Sequence, residues 1–542
     1  MTAPEGLSKL DWVVEATSAD GKAVDRVAAS QGIVPAVPFE VWAATLARVD
    51  VGTTIPIAPP AGALAGSYVD VKLSDSLAPP LAGVRAYMAA YPYNCFEQQL
   101  SRAVALGDAG AWGTLAGAIP TYQDGDGLLR YFPGEWPGSE ALTAYTLSMT
   151  AEAGFAIPDA AKARAIEALK AVVEGRLKRD ANGPVDNRLL KVASVAALAR
   201  NGASNAALIG AVDIAPADMP TGALADWMVA IDGTPGLKNA AALRTTAEAT
   251  LRKRLVYEGT RIDLTDASAA PWWMMVSDDE MVLKALGAVL GRPGWDDEGP
   301  KMMVGVALRQ QRGHWDTTPA NAWGTVVARR FAALYPASAV TGTTSVALGG
   351  VSRTQGWPMA AGLGPLRLPA VAGPLTLAQS GGAGPWATIA VSAAVPLMQP
   401  LFAGYRMTKA TEIVSQRNKG RLTRGDVMKV TITVDATADR NWVVVSDPVP
   451  PGATIQGSLG GQSGILGNLA GGGDGVSPSY VERGRDAWRG YFAWVPRGRF
   501  TVSYVVRLNG VGRFSLPPTR VEAMYSPEVR AALPNRGVEV GL

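Results

Sequence analysis

Cys95 is the one cysteine in 542 residues, and Gln98 follows it by three positions within Tyr91-Pro92-Tyr93-Asn94-Cys95-Phe96-Glu97-Gln98-Gln99-Leu100-Ser101-Arg102. Three positions apart on the first turn of a helix, the two side chains share a face, so the thiol sulfur can meet the amide carbon. Loss of ammonia would leave an internal thioester. Such a bond is a stored acyl donor: an arriving amine or hydroxyl takes the glutamyl carbonyl, and the thiolate departs. A helix N-terminus at Cys95 would ease the departure by lowering the thiol pKa from its free value of about 8.5.

The neighbouring residues allow sharp and plain readings. Cys95 on its own would be an ordinary buried thiol. Glu97 reads as packing or helix-start electrostatics rather than catalysis. Tyr91, Tyr93 and Phe96 would shield the bond from water or serve as core aromatics. His314 is the one histidine, so acyl transfer relayed through imidazole must use it. Trp272 and Trp273, after Pro271, read as core of the helical region. The acidic residues show no metal-ligand spacing and there is no His/Cys cluster, so neither a metal nor another cofactor is expected.

The elements that must hold this centre change character along the chain. Up to about residue 75 the sequence reads as short strands broken by Pro and Gly. In Ser67-Tyr68-Val69-Asp70-Val71-Lys72-Leu73 the apolar residues alternate with polar ones, the period of a half-buried strand, and Asp11 to Ala16 is a shorter candidate. From about Ala78 to Pro336 the period becomes helical, in about twelve segments. One stripe is Ile166, Leu169, Val173 and Leu177, with Asp159 able to cap its start; another is Val282, Leu286, Val289 and Leu290; a third is Trp323, Val327, Phe331 and Leu334. A run of helical hairpins without heptads must bury its apolar faces on neighbours, and a closed α/α toroid does so without open ends. Strands return at Thr344 to Val351 and Trp386 to Val395. In the last block, Met428, Val430, Ile432 and Val434, and again Val502, Tyr504, Val506 and Leu508, alternate with polar positions as in a β-sandwich. Gly457 to Gly475 reads as a flexible hairpin loop.

Length suggests three or four domains, and a net charge of +3 spread over this length argues against nucleic acid as the main partner. One cysteine excludes an intramolecular disulfide and leaves the redox compartment open. Met1 to Trp12 lacks an export-signal pattern, and no stretch is long and apolar enough to span a bilayer as a helix.

Pro92-Tyr93-Asn94-Cys95-Phe96-Glu97-Gln98 resembles the P-Y-G-C-x-E-Q motif of the alpha-2-macroglobulin and complement superfamily, and the flanking Tyr-Pro-Tyr and Leu-Ser-Arg resemble its bacterial branch. Asn94 stands where the family has Gly; Asn tolerates a left-handed backbone, so the turn is expected to survive. Phe96 replaces Gly or Leu. Gly138 to Tyr145 and Gly313 to Trp323 are similar to segments of the family's thioester domain. Arg424 to Val427, Ser446 to Gly452 and Phe514 to Pro527 resemble its C-terminal macroglobulin domain.

The resemblance implies a multidomain α and β architecture. Residues 1–32 would end a preceding macroglobulin-type β-domain, and 33–76 would be the first half of a CUB-like β-domain. An all-α α/α toroid, the thioester domain, would occupy 77–336 as an insertion. The second CUB-like half would follow at 337–398, and a C-terminal macroglobulin-type β-sandwich at 399–542. By the same resemblance the chain is the C-terminal part of a longer, membrane-anchored, periplasmic or cell-envelope protease inhibitor, itself carrying no membrane span, with the bait segment upstream. Its partners would be proteases, acylated on lysine amines through Gln98 with release of Cys95, each molecule acting once and not as an enzyme. His314 lies in a segment similar to the loop before the last toroid helix rather than where some complement members carry an assisting histidine, so amines are favoured over hydroxyls. Two alternatives remain. One is an envelope scaffold without a functional thioester, binding cell-wall synthesis machinery. The other is an α/α-toroid enzyme with a Cys95–His314 dyad, which lacks an evident orienting Asp or Asn.

Overall fold

The computed structural model describes residues 9–32, 37–49, 52–78, 81–134, 136–179, 186–265, 270–337, 339–360, 363–456 and 476–542. The glycine-rich loop read at 457–475 lies outside the described residues.

Strand Lys9–Thr17 pairs antiparallel with Val24–Gly32 in a two-stranded sheet. Strand Tyr68–Ser74 follows its alternation: Val69, Val71 and Leu73 are buried and the residues between are half-buried. It lies between Leu366–Pro369 and Trp386–Ala393, and Trp386–Ala393 also pairs with Glu40–Arg48, making one four-stranded sheet. A second sheet runs Thr53–Ile57, Gly373–Ser380, Gly342–Leu348, Val351–Trp357. Both sheets therefore combine strands from before and after the helical region and share one core, with Val71 and Leu73 meeting Leu375 and Ile389. The chain enters and leaves the helices through a single β module.

Among the described residues twelve α-helices lie between these strands. They are α1 (Ala82–Ala90), α2 (Phe96–Leu106), α3 (Ala109–Tyr122), α4 (Glu140–Ala153), α5 (Asp159–Val173) and α6 (Asn187–Arg200). The series continues with α7 (Ala206–Gly210), α8 (Thr221–Asp232), α9 (Ala240–Arg252), α10 (Asp278–Val289), α11 (Glu298–Leu308) and α12 (Thr318–Leu334). Their ends follow capping chemistry. Ser139, Ser277 and Thr317 accept the free N–H groups of α4, α10 and α12, and Gly107 closes α2 in the left-handed region, where a Cβ is unfavourable. Asp159 differs from expectation: it is the first residue of α5, after Pro158, and places its charge in the first turn without accepting a capping bond. Helices α2, α4, α6, α8, α10 and α12 pack in that order, and α12 returns to α2. The other long helices α3, α5, α9 and α11 pack against members of this series.

The C-terminal block is a sandwich of a six-stranded and a four-stranded antiparallel sheet. In the latter, Val427–Ala436 buries Met428, Val430, Ile432 and Val434, and Gly498–Arg507 buries Val502, Tyr504 and Val506 as the alternation predicts, with Val505 buried in addition. The central strand of the larger sheet, Arg440–Pro448, is buried on both faces. Val443 and Val445 join the sandwich core, whereas Val444 joins the core of the helical block. Its neighbour Ala487–Val495 does the same, sending Phe492 inward and Tyr491 to the helices. One sheet thereby belongs to two cores, and this brings the sandwich against α2.

Candidate functional site

Cys95 is the N-cap of α2, with an extended backbone, and Gln98 is the third residue of that helix. Both are fully buried. The Cys95 N–H donates to Gln98 Oε1 at 3.0 Å, and the Gln98 backbone N–H points at the Cys95 sulfur. Gln98 Nε2 donates to the Met524 sulfur at 3.0 Å. The amide oxygen is thus held by a strong donor and the amide nitrogen by a weak acceptor. In thioester formation the oxygen stays and the nitrogen leaves.

Met524 and Tyr525 form the turn between strands Thr519–Ala523 and Ser526–Leu533 of the C-terminal sandwich, more than 420 positions from Gln98. Trp442 helps hold them. Its carbonyl accepts from the Met524 N–H at 3.0 Å, and its ring packs on Tyr131 with centroids 3.9 Å apart. The φ of +47° at Trp442 lies in the left-handed region, which is costly for a bulky residue and is kept only where surroundings enforce it. Tyr93 and Phe96 are buried and Tyr91 is half-buried; Tyr93 meets Tyr491 of the sandwich edge-on at 6.2 Å. The aromatic cover expected from the local sequence is therefore joined by a second layer from a distant domain. Sequence reasoning missed Met524, Tyr525, Trp442 and Tyr131. Phe514 to Pro527 signals a domain type, and nothing local in it announces contact with α2.

Two expectations need correction. The helix N-terminus does favour the thiolate, but it does not decide the thiol pKa in this state. Complete burial pushes the Cys95 thiol well up and the Glu97 charge adds to it, outweighing the N–H groups of Gln98 and Glu97 and the Tyr525 hydroxyl that favour the thiolate. Asn94, for its part, is not left-handed: among the described residues the positive-φ residues other than Gly are Met275 and Trp442. The turn before α2 is held by side chains instead. Arg102 donates to the Tyr93 carbonyl and to Asn94 Oδ1, each at 3.1 Å, and Gln99 Nε2 donates to the Asn94 carbonyl at 3.1 Å.

Glu97 is fully buried, and among the described residues no cation pairs with it. Ser101 Oγ donates to its Oε1 at 2.6 Å, Thr318 Oγ1 lies 2.9 and 3.0 Å from its two oxygens, and Tyr525 Oη donates to Oε2 at 2.9 Å. Burial pushes its carboxyl up to about 7 despite these three hydroxyls. Its role thus exceeds packing: it ties α2, α12 and the sandwich together.

His314 stacks on Tyr87 at 3.6 Å, and its Nδ1 lies 2.6 Å from the Trp315 carbonyl. Burial pushes its pKa down to about 4, so the imidazole is neutral around pH 7. Trp272 and Trp273 are half-buried, and Trp272 faces the sandwich rather than the helical interior: it stacks on Trp494 at 6.3 Å and lies under the Arg440 guanidinium at 5.2 Å. Trp273 accepts from Asn441 through its carbonyl. Among the described residues no group of three or more His, Cys, Asp or Glu side chains could hold a metal, and no helix is long and apolar enough to cross a membrane.

Residues 404–528 match a family model described as Bacterial Alpha-2-macroglobulin MG10 domain. No curated protein matches the chain significantly by sequence. Among solved structures, native alpha-2-macroglobulin from Escherichia coli spanning domain MG7 to the C-terminus aligns over 98% of this chain and 87% of its own, with a TM-score of 0.74 at 17% identity. The native conformation of the E. coli protein aligns over 98% of this chain with a TM-score of 0.73 at 17% identity, and Salmonella alpha-2-macroglobulin reacted with methylamine over 98% with 0.72 at 18%. The chain spans 35% and 36% of the length of those two proteins. Residues 404–528 are thus similar to the MG10 domain of the bacterial alpha-2-macroglobulins, and the chain as a whole has the multidomain helix-and-sheet fold of the C-terminal region of those solved structures.

Proposed function

We propose that the chain is the thioester-bearing C-terminal part of a bacterial alpha-2-macroglobulin, a protease trap that acylates its attacker through Gln98 and releases Cys95. The observation that carries this is the sealed pair: a cysteine and a glutamine on the first turn of α2, both fully buried, capped by Met524 and Tyr525 from the domain of the MG10 family. In this reading the closed helical series is the α/α toroid, the β module through which the chain enters and leaves it is CUB-like, and residues 1–32 end a preceding macroglobulin domain.

The geometry supports a stored acyl donor in two ways. Burial keeps water from the bond, and it holds the thiol pKa up, so the sulfur is a poor leaving group while the cover is shut. Withdrawal of the sandwich would return the sulfur to water at a helix N-terminus, where its pKa falls and the thiolate leaves readily. Reactivity is then coupled to displacement of Met524 and Tyr525. With His314 neutral and engaged with Tyr87 and Trp315, nothing assists weak nucleophiles, and lysine amines of a protease are the favoured acceptors. Each molecule reacts once and is not an enzyme. The whole protein acts in the periplasm or cell envelope, anchored outside this segment, and no cofactor beyond the self-made Cys95–Gln98 bond takes part.

The test is the intact mass of freshly purified protein before and after methylamine, with thiol titration. The expected protein is short by one ammonia and gains one methylamine as a single thiol appears. A full mass with a titratable thiol from the outset, in protein never exposed to amines, would overturn the trap reading and favour a scaffold that binds cell-wall machinery.

A further inference from the structure

Besides the cover formed by Met524 and Tyr525, the sandwich grips the helical block through a second set of residues. Trp272–Met274 is a single 3-10 turn ahead of α10. Trp494 stacks on the Trp272 ring with centroids 6.3 Å apart, and the Arg440 guanidinium lies over the same ring at 5.2 Å. Asn441 Nδ2 donates to the Trp273 carbonyl at 3.0 Å. The Asn441 Oδ1 is buried and has no hydrogen-bond partner among the described residues. A buried amide oxygen without a donor is costly, so what Asn441 contributes here is the one bond from its nitrogen.

Trp442 follows Asn441 directly. In the ladder between Arg440–Pro448 and Ala487–Val495, Asn441 faces Trp494 and Val443 faces Phe492, but Trp442 between them has no partner. It has turned out of the ladder into the left-handed region, at φ +47°. There its carbonyl takes the Met524 N–H at 3.0 Å, and its ring lies on Tyr131, whose own carbonyl takes the Phe96 N–H at 2.8 Å on the first turn of α2. A bulky residue keeps such a backbone only while its surroundings enforce it. One strained residue therefore stands between the grip on the turn and the cover over the reactive pair.

Resting on the thioester reading, we propose that Trp272 and Asn441 are positioning residues of the trap: they clasp the sandwich to the helical block, hold Trp442 left-handed, and so keep Met524 on Gln98. The lifetime of the closed cover, and with it the rate at which an amine reaches the bond, is set at this clasp. When the clasp lets go, Trp442 can relax to an ordinary strand backbone. Its carbonyl then turns away from the Met524 N–H, and Met524 loses its backbone anchor beside Gln98 Nε2. The strain favours release, so closure needs contacts at both ends. Loosening the clasp opens the cover although every contact of Met524 with the reactive pair is left in place.

The experiment compares the full chain with Asn441→Ala, Trp272→Ala and a control, Ile432→Val, which thins the sandwich's own core on the four-stranded sheet. Thiol release is timed in excess methylamine and again in excess N-acetyl-lysine amide, after intact mass has shown each protein short by one ammonia. Asn441→Ala should react about three to ten times faster than wild type, and Trp272→Ala at least about ten times faster. The two amines should be accelerated by the same factor, since opening has changed and the chemistry has not. Ile432→Val should lower the urea midpoint yet react at the wild-type rate. Wild-type rates in Asn441→Ala and Trp272→Ala would overturn the proposal. So would an Ile432→Val protein accelerated as much as they are, which would trace access to general loosening of the sandwich. If Trp272→Ala does not fold, Asn441→Ala decides alone, since it removes one bond and an oxygen that has no partner. A wild-type chain at full mass with a free thiol would instead remove the thioester reading. Alkylation of Cys95, the one cysteine, by iodoacetamide then reads the same cover in the same four proteins. The same order of rates would support the clasp, and equal rates would overturn it.

Discussion

Two of the acidic residues buried in the helical block are held in opposite ways. Asp226 of α8 sits between two cations: Arg200 Nη1 lies 3.3 Å from it, Lys284 pairs with its other oxygen, and all three side chains are nearly inaccessible. Beside them are Glu280, whose Oε1 lies 4.0 Å from Lys284 Nζ and whose Oε2 has no hydrogen-bond partner among the described residues, and a cavity of about 40 Å³ that Tyr145 and Trp323 also line. Glu97 is buried as completely but is met by three hydroxyls and no cation. A carboxylate bracketed by cations acts as structure. One held by hydroxyls alone is brought near neutrality and can exchange a proton. The second kind lies against Cys95, the first does not.

Breaking this contrast gives effects of graded size. Asp226→Ala leaves Lys284 and Arg200 buried without their acid and should cost about 3–5 kcal/mol, read as a lower urea midpoint. A loss under about 1 kcal/mol would mean that water in the adjoining cavity already screens the cluster.

Glu97→Gln should have a smaller effect that depends on pH. The folded carboxyl titrates near 7 against an ordinary value of 4.5, so between these values the native chain retains a proton that the unfolded chain has released. Its stabilising contribution is complete below about pH 4.5 and is lost as pH rises through 7. Wild-type stability relative to Glu97→Gln should therefore fall by up to about 1.4 kcal/mol per pH unit across that window. Thermal melts of the two proteins at matched pH test this, and because only their difference is compared, the opposite slope from His314, whose pKa is lowered to about 4, cancels. Parallel curves would place Glu97 among structurally paired acids like Asp226.

The smallest effect belongs to a pair at the surface. Half-buried Asp70 takes two bonds from the exposed Arg367 at 2.8 Å, and Asp70→Asn should cost less than about 1 kcal/mol and lose even that in high salt. A larger or salt-independent cost would show that bidentate geometry rather than burial sets the scale.

Much of the architecture was legible because local period and spacing are properties of the chain itself. The alternation in Tyr68–Ser74 and Val427–Ala436 selects a buried face whatever lies across from it, and the helical stripes near Val282 and Val327 do the same, except that Leu334, at the end of α12, is exposed. The same reasoning places Cys95 at the start of a helix with Gln98 on its face, since three residues on a helical turn meet without help from elsewhere. The readings that failed were those in which a neighbour distant in sequence decides. Trp272 was assigned to the helical core by its apolarity, but Trp494 and Arg440 take its ring to the interface. Asn94 was read as a left-handed turn residue, but Arg102 and Gln99 hold that turn without one.

By itself, then, the sequence determined that Cys95 and Gln98 share the first turn of a helix, because three positions on one turn need nothing from elsewhere in the chain. Whether those side chains are wet or dry and which way the thiol pKa moves were decided by tertiary structure alone. Desolvation depends on everything packed around a group. Here the cover comes from Met524 and Tyr525, 426 and more positions away on a different domain.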